Sequence, residues 1–248
     1  MKSKLRSVLY PLVAAAFWIA LWQILAVTLD LSFVFPRFDD TLVAFFGLLI
    51  TGDFWLTILL SFSRILIGFL IGAVLGCIIA PLTHHFELAR AIVSPAMTVI
   101  RSTPVASFIL VLWCLIGKNS VPTAIGVLMV APIVWQNLMD GYRTVSLELE
   151  ELCRVFRISP VKKFRLLVLP TLTEFLLPAL VTASALAWKS GIAAEIIVYA
   201  KSSIGKEITD AKNFFESELM FAWTIAVVLL SILIELAIKR LGKGVRRL

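Results

Sequence analysis

Apolar residues occupy this chain in long runs, and polar residues fall between the runs rather than alternating with them. A helix needs about 20 apolar residues to cross the hydrocarbon core of a bilayer. Six runs approach or exceed that length, over 7–29, 60–81, 90–116, 121–142, 172–197 and 219–238. The pattern predicts an all-α membrane protein with six transmembrane helices forming one domain over 1–248. Between the first two runs, 30–53 is mixed, with Pro36, Arg37, Asp39 and Asp40, and predicts a short helix at one membrane interface. The longest polar interruptions are 143–170 and, on the opposite side, 199–218. The start, Lys2, Lys4 and Arg6, has the basic character of a signal peptide. The apolar run behind it is long and leads into no polar domain, so it reads as a retained first helix.

Composition agrees with that reading. Hydrophobic residues make up 60% and charged residues 16%, where soluble chains are nearer half and a quarter. Too little polar surface remains to cover a body in water. That excludes a soluble enzyme, a disordered region and a nucleic-acid-binding domain, despite a net charge of +7. The basic excess instead sets orientation, because Lys and Arg concentrate in cytoplasmic segments. With both termini inside, fifteen Lys and Arg fall on the cytoplasmic side. They are Lys2, Lys4, Arg6, Arg90, Arg143, Arg154, Arg157, Lys162, Lys163, Arg165, Lys239, Arg240, Lys243, Arg246 and Arg247. Five (Arg37, Lys118, Lys201, Lys206, Lys212) fall outside, and Arg64, Arg101 and Lys189 lie within the membrane. Cys77, Cys114 and Cys153 are odd in number and widely spaced, and His84-His85 has no ligand companions. No metal site or disulfide framework is expected.

Inside the spans, Gly68, Gly72 and Gly76 recur every four residues and make one smooth face. Such a face lets helices approach closely, either within the bundle or between two copies. Charges at membrane depth are costly and face a partner or a cavity. Arg64 and Glu195 both fall near outer helix ends, which suits a structural ion pair. Arg101 and Lys189 are either paired or part of a solute path. Arg101 opens Arg101-Ser102-Thr103-Pro104, where Pro104 removes a donor and kinks the third span. Trp135 and Trp188 could stack on a flat solute. Asp140, Glu174 and Glu235 sit near span ends, which leaves no buried carboxylate relay of the kind a proton-driven carrier uses.

In the 143–170 loop, Leu149, Leu152 and Phe156 form an apolar stripe, and Glu150 and Arg154 stand at the favoured i, i+4 spacing. A short amphipathic helix over 147–158 follows. Ser159-Pro160 reads as the start of a second helix, and Pro170 as the turn into the fifth span. The greasy face would lie on lipid headgroups or dock a cytoplasmic partner.

The run Glu151-Leu152-Cys153, then Arg157, then Leu167-x-Leu169-Pro170, resembles the EAA signature of binding-protein-dependent ABC importer permeases. That signature reads E-A-A, three residues, Gly, nine residues, I-x-L-P. Spacing matches throughout; Leu152 and Cys153 replace the alanines, Arg157 the glycine and Leu167 the isoleucine. Arg101-Ser102-Thr103-Pro104 is similar to the R-P-x-P segment of the nitrate/sulfonate/taurine-type branch, and Ala193-Ala194-Glu195-Ile196 to its A-A-E-M segment. Ser202-Ser203-Ile204-Gly205 with Asn213-Phe214-Phe215 resembles its outer loop, and Ser61-x-x-Arg64 also fits. Lys189 departs from that pattern.

The resemblance covers about 30–240. It implies a type I importer permease in the cell membrane, working as a homodimer. Glu150, Glu151, Leu152, Cys153, Arg154, Val155, Phe156, Arg157, Leu169 and Pro170 would form the coupling element for a cytoplasmic ATPase dimer. An extracytoplasmic solute-binding protein would dock on 30–53 and 199–218. The chain has no G-x-x-x-x-G-K-[ST] loop, so ATP and magnesium would belong to the partner ATPase and the chain itself would be non-catalytic. The solute would be small, and anionic or heterocyclic, passing Arg101, Ser102, Thr103, Trp135, Trp188 and Lys189. The competing expectation is a secondary carrier or channel that needs no ATPase.

Overall fold

The computed structural model describes residues 2–29 and 31–245, with side chains over 9–29, 31–240 and at Gly242. Asp30, Arg246 and Arg247 lie outside the described residues, as do the side chains of Lys2, Lys4, Arg6 and Lys243.

Every described element is helical. In chain order they are α1 Lys2–Leu29, α2 Phe38–Leu49, α3 Gly52–His85, α4 Glu87–Ser102, α5 Val105–Ile116 and α6 Val121–Thr144. There follow α7 Leu147–Val155, α8 Pro160–Lys163, a π-helical turn Phe164–Val168, α9 Leu169–Val198, α10 Ile204–Asn213 and α11 Ser217–Val245. Five segments are long and apolar enough to cross a membrane: Leu9–Leu29, Gly52–His85, Val121–Thr144, Pro160–Val198 and Ser217–Arg240.

The sixth expected span, 90–116, is not one helix. It is α4 and α5, bent by 106° at Thr103-Pro104. Proline disfavours helical backbone in the residue before it, and Thr103 sits at φ −81°, ψ 135°. Pro104 itself is extended at φ −56°, ψ 131°. Two extended residues in succession turn the expected kink into a corner. The second correction concerns Pro170. It does not mark a turn, because the helix runs through it from α8 into α9. A proline clashes with the carbonyl four residues back. The wider π turn immediately before it, in which the Leu169 N–H reaches the Phe164 carbonyl, relieves that clash.

The core is α3, α6 and α9, with α6 between the other two. The glycine face of α3 lies against α6, not against a second copy. A methyl group at Gly68 would stand 2.4 Å from the Thr123 carbonyl oxygen; at Gly72 or Gly76 it would stand 2.8 or 2.7 Å from Cβ of Val130 or Val134. In lipid, where apolar burial alone drives little, such close backbone approach supplies the packing attraction.

Trp135 and Trp188 also belong to this core and do not line a path. Each is at most 5% exposed. The Trp135 indole donates to Thr83 Oγ1 at 2.8 Å and the Trp188 indole to the Val227 carbonyl at 3.0 Å. A buried indole with its single donor satisfied has nothing left to offer a solute.

α1 meets the body at its C-terminal end. The Trp22 indole donates to the Pro36 carbonyl, and Gln23 bonds both the Phe38 N–H and Asp39. The rings of Phe35, Phe38 and Phe221 pack around Trp22.

Candidate coupling surface and solute path

α7 and α8 form a compact hairpin at the end of the bundle where α6 finishes and α9 begins. Ser146 caps α7, its hydroxyl accepting from the Leu149 N–H at 3.3 Å. Glu148 and Glu150 occupy the first turn and Arg154 the last, the placement the helix dipole favours. Glu150 does not pair with Arg154. Its carboxylate instead meets Lys163 Nζ at 2.9 Å, fastening α7 to α8.

The helix ends at Val155, three residues short of the expected 158. The Arg157 N–H bonds the Arg154 carbonyl and the Ile158 N–H bonds that of Cys153. This is the Schellman closure, which needs a left-handed residue at its first position beyond the cap. Arg157 is that residue, at φ 48°. The EAA signature has glycine there, and the backbone shows why.

With Glu150 and Cys153 turned partly inward, Leu152, Val155 and Phe156 are 52%, 77% and 70% exposed. Leu147 and Glu151 flank them, also exposed. Leu169 and Pro170 open α9 behind the hairpin. An exposed apolar patch on a braced polar hairpin marks an interaction surface.

At the opposite end, Glu195 is the central buried group. It is fully enclosed, with Arg64 Nη1 3.4 Å from Oε1. Oε2 accepts from the Ser61 hydroxyl at 2.8 Å and the Gly205 N–H at 3.3 Å. Ser61 in turn accepts the Ile204 N–H at 2.9 Å. Arg64 also donates to the carbonyls of Lys201 and Ser202. One carboxylate therefore joins α3, α9 and the first turn of α10. Asn119, in the turn between α5 and α6, holds the Lys201 N–H at 3.0 Å. Asp210 of α10 accepts from both the Tyr199 hydroxyl, at the end of α9, and Lys206. Partial burial pushes the Asp210 carboxyl up, but the bonds from Lys206 and Tyr199 outweigh it and hold it below its ordinary value. The bond to Asp210 raises Lys206.

Arg101 lies in the last turn of α4 and is exposed, as is Ser102 beside it. Its guanidinium reaches Gln136 Oε1 at 3.4 Å, and the Gln136 amide donates to Asp140 at 3.0 Å. Arg143 closes the series on Asp140 at 3.3 Å. Gln136 precedes the end of α6 by eight residues, about 12 Å at 1.5 Å per residue. Lys189 is exposed on α9, nine residues before its far end and so about 14 Å from it. The two cations thus stand at different depths, on helices that both pack against α6. Among the described residues Lys189 has no ion-pair or hydrogen-bond partner. Thr103 Oγ1 closes α4 on the Val99 carbonyl.

Sequence reasoning missed Gln136, Ser146 and the role of Lys163, and noted Ser61 only through the family resemblance. The i, i+4 spacing of Gln136 and Asp140 was a usable signal. Ser146 has the residue type of a helix cap. Nothing local marks Ser61 as a partner of Glu195.

The sequence profile of the binding-protein-dependent transport system inner membrane components matches residues 68–247. The bicarbonate transport system permease protein CmpB of Synechococcus elongatus is 29% identical over 224 residues, spanning 85% of this chain and 79% of CmpB. SsuC of Bacillus subtilis, named for aliphatic sulfonates transport, is 25% identical over 207 residues, spanning 82% of this chain and 74% of SsuC. The inward-facing methionine ABC transporter MetNI superposes with a TM-score of 0.60 at 20% identity, covering 80% of this chain and 96% of that one. An amino acid ABC transporter solved with histidines gives 0.57, covering 84% and 97%. Both structures share the fold.

Proposed function

This chain belongs to the family of binding-protein-dependent transport system inner membrane components, and from that premise we propose how it works in its importer. As a member it is a multi-pass permease component in the cell membrane. In our reading two copies pair, and each seats α7 in a groove of a separate cytoplasmic ATPase. The ATPases hold the ATP and magnesium and hydrolyse the ATP. An extracytoplasmic binding protein delivers the solute to the surface made by α2 and α10. Closure of the ATPases drives the two α7 hairpins together and rocks the bundles, so that the path opens to each side in turn.

The observation that carries this is the exposed patch of Leu152, Val155 and Phe156 on a hairpin braced by Glu150–Lys163. A hairpin merely resting on lipid would not need that brace to transmit force. Glu151, exposed beside the patch, fixes the seat electrostatically.

The solute is a small anion. Arg101 and Lys189 present positive charge at two depths, at a cost that a neutral solute would not offset. CmpB and SsuC are named for bicarbonate and sulfonates, which are anions. The two tryptophans that would have favoured a flat heterocycle are buried in the core.

The test is ATP hydrolysis in vesicles holding the permease, its ATPase and its binding protein. Glu151→Lys and Val155→Asp should each abolish stimulation by loaded binding protein, with the permease still inserted and its thermal midpoint unchanged. Normal coupling in both variants would remove α7 from the role.

A further inference from the structure

Two cavities lie one above the other along α3 and α11. The upper, about 420 Å³, is at the α10 end and mixes charge with an apolar wall. Asp53 and Glu207 supply carboxylates, Lys201 and Lys206 ammonium groups, and Phe54 and Trp223 the wall, their rings 5.0 Å apart. Lys206 is already engaged by Asp210 at 2.7 Å and stands 3.6 Å from the Glu207 carboxylate. Among the described residues Asp53 and the Lys201 side chain have no ion-pair or side-chain hydrogen-bond partner. The Lys201 backbone is nonetheless fixed at both its N–H, by Asn119, and its carbonyl, by Arg64. One free anion and one free cation on fixed backbone therefore face the same space.

The lower cavity, about 640 Å³, is apolar. α3 contributes the face from Ile58 to Leu70, α11 the face from Leu230 to Ile238, and Ala187 and Trp188 of α9 the floor. Trp223 of the upper cavity and Leu230 of the lower are seven residues apart, on one side of α11. From Ile58 to Leu70 the cleft is about 18 Å long at 1.5 Å per residue, against about 15 Å for one leaflet of the hydrocarbon core. Its rim, Trp55, Leu59 and Leu233, is exposed, so it opens sideways into the bilayer.

We propose that these cavities form one phospholipid site, for a lipid whose headgroup is phosphoethanolamine. Lys201 takes the phosphate. Asp53 takes the primary ammonium, which donates hydrogen bonds that a choline headgroup cannot. An acyl chain fills the cleft below. A second copy of the chain could fill the cleft alone, but it would leave the facing charges of Asp53 and Lys201 without partners.

The full chain is reconstituted in vesicles with equal phosphatidylethanolamine, phosphatidylcholine and phosphatidylglycerol. It is then extracted mildly, and the lipids it keeps are weighed by native mass spectrometry. Phosphatidylethanolamine should be enriched about fivefold over phosphatidylcholine, the scale of an exposed ion pair. Asp53→Asn and Lys201→Gln, both at exposed positions, should return the ratio to that of the vesicle. Ala237→Phe, which fills the cleft, should lower retention of every lipid. Retained lipid that mirrors the vesicle in the unaltered chain would overturn the site, as would phosphatidylglycerol enrichment insensitive to all three variants. Disulfide crosslinking of Leu59→Cys to Leu233→Cys between two chains in the native membrane would also overturn it, since a second copy would then occupy the cleft.

Discussion

Gly205→Ala puts the Glu195 junction to a test of sign. Gly205 stands at the second position of α10, where sequence rules favour alanine by up to about 1 kcal/mol. The structure requires the opposite. A methyl group there would lie 2.5 Å from both Glu195 Cβ and the Ile196 nitrogen. Comfortable carbon contacts are about 3.5–4.0 Å, so α10 must retreat by about 1 Å. That carries the Ile204 N–H away from Ser61, now at 2.9 Å, and the Gly205 N–H away from Glu195, already at 3.3 Å. Loss of the neutral bond costs about 1 kcal/mol and loss of the carboxylate bond about 1.5–3 kcal/mol. After the helix-propensity gain, a net loss of about 2 kcal/mol remains. For a chain of this size that lowers Tm by roughly 4–8 °C. Thermal unfolding in detergent reads it directly. Gly47→Ala is the control, because a methyl group there meets nothing within 4 Å and Tm should hold or rise slightly. A Tm for Gly205→Ala equal to or above that of the unaltered chain would refute the proposed packing of α10 on Glu195.

Three further outcomes follow from the geometry. Arg157→Gly should stabilise the α7 hairpin by about 0.5–1 kcal/mol, since glycine takes the left-handed position without strain; slower amide exchange at Phe156–Ile158 is the readout, and faster exchange would contradict the Schellman closure. Lys189→Met should weaken anion uptake roughly tenfold or more, the worth of a charge-assisted hydrogen bond, while assembly with the ATPase is unchanged; full uptake would place Lys189 outside the path. The Asp210 carboxyl, held below its ordinary 3.8, contributes stability that is complete above that value and lost as pH falls through the lowered one; Asp210→Asn should make amide exchange in α10 insensitive to acid over that range. Lys206 has the opposite sign: its contribution is full below its ordinary 10.5 and lost as pH rises through the raised value.

The long helices were legible because twenty apolar residues in a row have few other fates. The EAA spacing was legible because it is local. The corner at Thr103-Pro104 was visible only as a kink, since Pro11, Pro81, Pro95, Pro132 and Pro178 all sit inside continuous helices. What distinguishes Pro104 is the extended backbone of both residues, and that depends on tertiary packing. Trp135 and Trp188 misled for a related reason. An indole suits a core and a ligand platform equally well, and only the positions of Thr83 and Val227 decide between them. Glu150 illustrates the limit of helical spacing rules. Arg154 stands four residues along the same helix, yet Lys163, across the hairpin, takes the carboxylate.

The π-helical turn at Phe164–Val168 also sets the phase between two gears. An α-helix advances about 100° per residue, and the wider turn absorbs one residue more than the α-helical count would. Removing a single residue from that stretch would let it tighten to α-helix and would rotate the α7 hairpin by about a third of a turn about the α9 axis. The Leu152, Val155 and Phe156 patch, exposed at the end of the bundle, would then be swung about that axis to face a different side of the bundle. Chain length between α8 and Pro170, rather than the identity of any residue there, is therefore what sets the angle at which the α7 hairpin leaves α9.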